Sequence, residues 1–328
     1  MSNIRDKVAG LSAADRAKLA LRISRLKAQS ADSADKVIQP DITNRFAPFP
    51  LTDLQQAYWV GRSSAFEIGN VASHCYLELE ADLDLQRLEV AWQQVIDRHD
   101  MLRAVVHPNG RQQVLESVPK YQIECADLRI VDQADRQQTI EAIYSELSHQ
   151  VMEPAEWPLF DVRTARLSDN RVRVFFSIDA LIADGWSLFL IFKEWGSLYT
   201  DPDIELEKLD ISFRDYVLAE TELLNSQGYL KDKEFWQDRL QYMTNGPSLP
   251  LAKAPATLAE IKFERRIASL DTARWKRLKE RCHDAGLTCN AVLIGAYAKV
   301  IAMWSLDNEF LLSVPQFNRR SLHPQVNK

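Results

Sequence analysis

The sequence lacks the features of a secreted, membrane-bound or nucleic-acid-binding protein. Only 4 of its 328 residues are cysteine, too few and too scattered for a disulfide framework. No apolar run approaches the roughly 18 residues of a membrane span. The first ten residues, MSNIRDKVAG, lack the apolar core of a signal peptide. A net charge of −6 disfavours a nucleic-acid surface. These absences predict a reduced, cytoplasmic protein with no nucleic-acid or membrane partner.

Metal ligands are also scarce. Cys282-His283 together with Cys289 is the grouping that most resembles a metal site. No second CxxC or HxxxH pair completes the ligand set that a zinc site requires. We therefore interpret these three residues as structural, and predict no metal and no bound cofactor.

What the sequence does contain is typical of a globular enzyme: 46% of its residues are hydrophobic and 26% are charged. The length suffices for two lobes with separate cores. Residues 245–255, NGPSLPLAKAP, hold three prolines and cannot form a regular element. We place the lobe boundary there, which gives an N-terminal helix and linker (1–44), a first lobe (45–245) and the start of a second (246–328). The order of strands and helices predicts an α+β fold.

Residues 171–187, RVRVFFSIDALIADGWS, are where we expect the chemistry. Every second residue from Val172 to Ile178 is apolar, which is the period of a strand that buries one face. Four apolar residues then separate Asp179 from Asp184, and an apolar helix follows over 187–199. Asp184 is placed to accept the free N–H groups of the first helical turn.

Two carboxylates in an apolar loop need an explanation, because a desolvated charge is costly unless it is paired or hydrogen-bonded. One interpretation is a helix cap beside a solvated loop aspartate. The other is a functional acidic pair at a cleft. The pattern alone leaves both open.

The stretch from Asp179 to Asp184 resembles the DxxxxD signature of heterocyclisation domains from nonribosomal peptide synthetases. Those domains are relatives of condensation domains, whose corresponding loop reads HHxxxDG. This chain has no adjacent pair of histidines. Residues 49–62, FPLTDLQQAYWVGR, also resemble the first core motif of the subfamily, FPLTxxQxAYxxGR. Every fixed position of that motif is filled, including Tyr58 and Arg62.

Two further stretches resemble motifs of the family. Residues 98–103, RHDMLR, are similar to RHxMLR. His99 in this stretch could act as a base, although a histidine at a helix end is more often a capping or dipole contact. Asn318-Arg319 resembles an Asn-Arg element whose arginine pairs with the last aspartate of the loop in relatives. The resemblance therefore implies an ion pair between Asp184 and Arg319 that bridges the two lobes.

The resemblance implies a chloramphenicol-acetyltransferase-like fold, in which two lobes form a V, each with a mixed sheet covered by helices. The sequence stops before the later motifs of such domains, including the residues they use for cyclodehydration. We therefore expect the second lobe to be truncated. Asp179 is expected to contact substrate and Asp184 to be chiefly architectural. Tyr58, Arg62, Ser187 and Asn318 are expected at the tunnel.

The implied activity joins a carrier-bound acyl donor to carrier-bound Cys, Ser or Thr, then closes the product to a thiazoline or oxazoline. Both substrates would ride on phosphopantetheine arms of donor and acceptor peptidyl carrier proteins. The amphipathic helix predicted at 11–27 could dock an adjacent synthetase module, or simply pack on the main domain. Alternative functions are an ordinary peptide-bond-forming condensation domain and a non-catalytic recruitment module.

Overall fold

A computed structural model describes residues 38–63, 69, 71–258, 261–264, 266–314, 317 and 319–328. The described residues belong to two compact units. The smaller unit contains the described residues up to Arg45, together with Lys208–Leu240 and Arg319–Lys328. The larger unit contains Phe46–Glu207 and the described part of Gln241–Asn318. The helix predicted at 11–27 lies outside the described residues, and the proposed domain boundaries stay predictions.

The larger unit contains two sheets. The first has β1 (Phe49–Pro50), β3 (Ala104–Val106) and β4 (Arg111–Val114), in the spatial order β1-β4-β3. The second has β2 (His74–Asp82), β5 (Glu124–Asp127), β6 (Phe160–Arg166) and β7 (Arg171–Asp179), in the order β2-β7-β6-β5. Strand β7 is antiparallel to both of its neighbours, whereas β5 is parallel to β6. The sequence predicts that a strand at 161–167 pairs with one at 171–178 through a turn at 168–170, and this pairing is confirmed.

Helices surround these sheets. Those of the larger unit are α1 (Asp53–Gly61), α2 (Leu85–Arg98), α3 (Gln133–Leu147), α4 (Gly185–Thr200), α7 (Thr272–Asp284) and α8 (Cys289–Trp304). Short 3-10 turns cover Asp100–Arg103 and Pro255–Thr257. The smaller unit contains α5 (Phe213–Leu223) and α6 (Gln227–Leu240). The fold is therefore mixed α/β with two sheets and covering helices, as the sequence predicts.

Strand β7 is buried on both faces. Phe176 on one face packs edge-on against Trp92 of α2, with ring centroids 5.6 Å apart. Phe175 on the opposite face belongs to a core cluster with Ile140 and Leu147 of α3. The predicted alternation is correct, but the expectation of a single buried face is wrong, because helices cover both sides of this sheet. Even Ser177 is fully buried.

The smaller unit has its own apolar cluster, formed by Ile38, Tyr216 and Leu322. The backbone N–H of Ile38 donates to the carbonyl of Leu322 at 3.2 Å. Arg214 pairs with Asp41 at 3.0 Å. Burial raises the pKa of Tyr216 to about 12. These contacts join segments that are far apart in the sequence.

Three predictions in the C-terminal part are wrong. The sequence predicts strands at 260–268 and 310–314, but the described residues there form no strand. Helix α8 exists, but it has no buried residue, although its apolar sequence predicts a buried helix. Tyr297, Met303 and Trp304 are exposed on it. An apolar sequence predicts the helix itself, whereas burial depends on the elements that pack over it.

Among the described residues, no single helix is long and apolar enough to cross a membrane. Helices α7 and α8 are bent by 101° relative to each other. They satisfy the length and composition test for a membrane span only when they are taken as a pair.

Candidate functional site

Asp179 is the last residue of β7, and its side chain is only 1% exposed. The Nη2 atom of Arg62 lies 2.9 Å from both carboxylate oxygens. The backbone N–H of Leu181 donates to Oδ1, also at 2.9 Å. A buried carboxylate needs such partners, because transfer of a charge out of water costs free energy unless hydrogen bonds or a counter-ion replace the lost hydration. The structure thus brings together Arg62 and Asp179, which the sequence places in two separate motifs.

Arg62 is held at the end of α1, whose start is fixed by a capping box between Thr52 and Gln55. The sequence predicts that this helix starts at Thr52 or Asp53, and the structure confirms it. The Arg62 side chain is itself only 8% exposed, and its Nη1 donates to the carbonyl of Met152 at 3.4 Å. A short helix therefore carries a buried guanidinium to the end of β7.

Two glutamine side chains support the loop that follows Asp179. The amides of Gln55 and Gln112 donate to one another, each at 2.9 Å. Gln55 also donates to the carbonyl of Leu181 at 2.7 Å, and Gln112 to that of Pro50 at 2.8 Å. Gln112 is fully buried. This amide pair, which we call the glutamine clamp, ties the acidic loop to α1 and to β4.

Asp184 begins α4 and is exposed. Its Oδ1 accepts hydrogen bonds from the backbone N–H of Ser187 at 2.8 Å and from the Ser187 hydroxyl at 2.7 Å. The predicted helix cap is therefore confirmed. The two acids of the loop differ in burial and in partners.

The remaining predicted site residues lie apart from this contact or outside the described part of the chain. Tyr58 is partly buried on α1. Arg319 belongs to the smaller unit, where its Nη1 donates to the carbonyl of Val326 at 3.2 Å. Asn318 is not among the described residues. Because Asp184 and Arg319 belong to different units, the ion pair between them stays a prediction.

His99 follows α2, and its Nε2 lies 2.7 Å from Oε2 of Glu194 on α4. The Nε atom of Arg98 lies 2.9 Å from the same oxygen. Burial opposes the charge on Glu194, but the contacts with His99 and Arg98 hold the pKa of this carboxyl below its usual value. His99 therefore joins two helices, in keeping with the structural interpretation of this residue.

Two residues near Asp179 belong to none of the motifs in the sequence. Gln112 lies on β4, within no motif, and nothing in its local pattern marks it. His74 begins β2 and is the cross-strand partner of Asp179. The signal that the sequence holds for His74 is a histidine at the start of a predicted strand. The pairing with Asp179 needs the strand register, which the sequence alone does not provide.

Comparisons with known proteins identify the family. The Condensation domain family matches residues 47–328. Bacitracin synthase 1 from Bacillus licheniformis is 38% identical over 278 residues, which is 85% of this chain and 5% of that protein. Pyochelin synthetase PchF from Pseudomonas aeruginosa is 35% identical over 290 residues, 88% of this chain and 16% of that protein. Phenyloxazoline synthase MbtB from a Mycobacterium species is 32% identical over 302 residues, 92% of this chain and 25% of that protein.

Among solved structures, the chain is similar to the EpoB cyclization-docking bidomain of a nonribosomal peptide synthetase from Sorangium cellulosum. The TM-score is 0.85 at 35% identity, and the match covers 97% of this chain and 64% of that one. The chain thus spans a quarter or less of the length of the three synthetases above. Condensation domains of these synthetases transfer acyl groups and work with carrier-protein domains. On the family match and these relatives, the chain belongs to the condensation-domain family of nonribosomal peptide synthetases, as a member of its heterocyclisation branch.

Proposed function

We propose that this chain catalyses heterocyclisation: it joins a carrier-bound acyl donor to carrier-bound Cys, Ser or Thr and closes the product to a thiazoline or oxazoline. The observation that carries the proposal is the buried ion pair between Asp179 and Arg62. It joins the first acid of the DxxxxD loop to the last residue of the first core motif. The names of two relatives add support, since one is a phenyloxazoline synthase and the other a cyclization bidomain.

The first step needs little acid or base, because a thioester is already activated. Holding both substrate arms in line raises their effective concentration and supplies much of the rate. The amine of the acceptor attacks the thioester carbonyl, the C–S bond breaks, and an amide forms. In this step Asp179, fixed by Arg62, would orient the substrate at the end of β7.

Ring closure is harder than amide formation. The side-chain thiol or hydroxyl attacks the new amide carbonyl, and the resulting hydroxyl must leave as water. Hydroxide is a poor leaving group, so this step needs a proton donor. Asp179 is paired with the guanidinium of Arg62, which suits it to accept hydrogen bonds and to shape the tunnel.

The partners we propose are a donor and an acceptor peptidyl carrier protein, each presenting its substrate on a phosphopantetheine arm. The segment predicted to be helical at 11–27 would receive an adjacent synthetase module. Asp184 would pair with Arg319, and Tyr58, Ser187 and Asn318 would line the tunnel. The cytoplasm is the proposed compartment, in keeping with four cysteines that form no disulfide.

The test is the mass of the product formed by the protein at its native length with loaded donor and acceptor carriers. We expect a released product lighter than the linear dipeptide by one water. A product with the mass of the linear amide, and no ring, would show an ordinary condensation domain instead. Carrier binding without any new bond would indicate a recruitment module.

A further inference from the structure

Of the nine buried side-chain atoms that lack a hydrogen-bond partner among the described residues, three belong to neighbours of Asp179. These three are Nε of Arg62, Nε2 of His74 and the hydroxyl of Ser177. Such atoms are uncommon, since most buried polar groups are hydrogen-bonded, and each one calls for an explanation. Three on the neighbours of one carboxylate indicate unmet hydrogen-bonding capacity at this end of β7.

Strand register places His74 and Ser177 on the face of the sheet that carries Asp179. His74 pairs directly with Asp179 across β2 and β7. The N–H of Ala180 donates to the carbonyl of Ser73 at 2.8 Å, so the adjacent pair of His74 and Asp179 is the non-hydrogen-bonded kind. In such pairs the Cα atoms are about 4.5 Å apart and the side chains lie close together. Ser177, two residues before Asp179, faces the same side.

The state of the His74 ring follows from its one hydrogen bond. Its Nδ1 lies 3.3 Å from the carbonyl oxygen of Ala72. A carbonyl oxygen only accepts, so Nδ1 carries the proton in the neutral ring. The other nitrogen, Nε2, then presents a lone pair. A ligand that satisfies it must bring a hydrogen-bond donor.

The two substrates of the proposed function differ in what they can offer this lone pair. The reacting group of the acyl donor is a thioester carbonyl, which only accepts hydrogen bonds. The reacting group of the acceptor is an amine, which has hydrogens to donate. The lone pair of Nε2 therefore matches the acceptor amino acid.

We propose that His74 is a further catalytic residue, whose Nε2 accepts the proton of the attacking amine; this inference rests on the proposed function. As the amine nitrogen bonds to the thioester carbon, the C–S bond breaks and its electron pair leaves on the pantetheine sulfur. The proton released by the amine passes to Nε2 and from there to that sulfur, which departs as a thiol. His74 ends the step in the protonation state in which it began.

The test uses the protein at its native length with loaded carriers, and follows linear amide and ring product separately in a single turnover. His74→Ala should slow amide formation at least about 100-fold, the range of general acid–base catalysis. Free imidazole should restore part of the lost rate. His74→Gln should be as slow as the alanine variant, because an amide can accept a hydrogen bond but cannot carry the proton.

The matched control is His107→Ala. The imidazole of His107 already has a partner, Gln113, at 2.9 Å. This variant should keep its rate and should not respond to imidazole. Thermal unfolding of each variant checks that the chain is folded.

Three results would overturn the role of His74. They are wild-type amide formation by His74→Ala, normal amide formation with a defect in ring closure alone, and a loss in folded variants that imidazole does not restore. A wild-type protein that makes the linear amide but no ring would refute heterocyclisation while leaving His74 to be judged on the amide step. A wild-type protein that makes no amide would overturn both.

Discussion

The two ends of the acidic loop carry the same residue type in opposite environments. Asp179, at the end of β7, is almost fully buried and is held by Arg62 and the N–H of Leu181. Asp184, at the start of α4, is exposed and caps its own helix through Ser187. A buried carboxylate with a distant partner depends on the whole fold, whereas a helix cap is local. The strand end is therefore the end that we assign to substrate, and the helix start is chiefly architectural.

The largest effect should come from breaking the buried pair. Arg62→Ala leaves Asp179 buried without its counter-ion, and should lower the free energy of unfolding by about 3–5 kcal/mol. Urea unfolding of Arg62→Ala, of Asp179→Ala and of the variant that carries both changes gives the coupling energy between Arg62 and Asp179. The double variant should be less destabilised than the sum of the single ones.

An exposed arginine on β7, the strand that ends at Asp179, provides the control for that experiment. Arg171 pairs with Glu80 at 2.9 Å, and its side chain is 46% exposed. Because solvent screens such a pair, Arg171→Ala should cost less than about 1 kcal/mol. Equal losses for Arg62→Ala and Arg171→Ala would contradict the contrast between buried and exposed pairing.

The second effect concerns the glutamine clamp. Gln112→Ala removes both hydrogen bonds between the two amides and the one to the Pro50 carbonyl, which should cost about 2 kcal/mol. It should also speed hydrogen exchange of the backbone amides in the loop between Asp179 and Asp184. The exposed Gln138 offers a control, since Gln138→Ala should change neither quantity. Unchanged exchange in Gln112→Ala would show that the clamp does not hold the loop.

A smaller effect is expected at the helix start. Asp184→Ala removes both the cap of α4 and the proposed partner of Arg319, whereas Asp184→Asn keeps the cap. The difference between the two variants isolates the cap and should be about 1 kcal/mol. Thermal unfolding measures both. A loss as large for asparagine as for alanine would mean that the charge of Asp184, and not its capping oxygen, stabilises the fold.

The smallest effect should come from Ser187→Ala. The hydroxyl of Ser187 bonds to an exposed carboxylate, and the backbone N–H of the same residue still completes the cap. The expected change in unfolding free energy is within about 0.5 kcal/mol. A loss of unfolding free energy larger than that of Asp184→Ala would mean that the Ser187 hydroxyl, and not the cap, stabilises this end of the loop.

Local features were predictable from the sequence, while long-range ones were not. The alternation of β7, the cap at Asp184 and a start of α1 at Thr52 or Asp53 depend only on neighbouring residues, and all three are confirmed. The contact of Arg62 with Asp179 depends on the packing of α1 against the end of β7. The sequence around each residue gives no sign of the other. The motifs therefore predict that both side chains belong to the site, but not that they contact each other.

Helix α8 shows the same limit from the opposite direction. Its apolar composition correctly predicts a helix from Cys289 to Trp304. Burial is a property of the surroundings, and Tyr297 and Met303 are exposed although their types are common in cores. The apolar sequence pattern therefore predicts the helix but not whether other elements cover it.

The most direct test of the contrast between the two loop ends compares Asp179→Asn with Asp184→Asn in the protein at native length, with loaded carriers. Both replacements keep the shape of the side chain and remove its charge, and asparagine preserves the cap of α4. With both variants shown to be folded, the single-turnover rate of product formation should fall at least about tenfold further for Asp179→Asn than for Asp184→Asn. Equal losses, or a larger loss for Asp184→Asn, would contradict the assignment of the strand end to substrate.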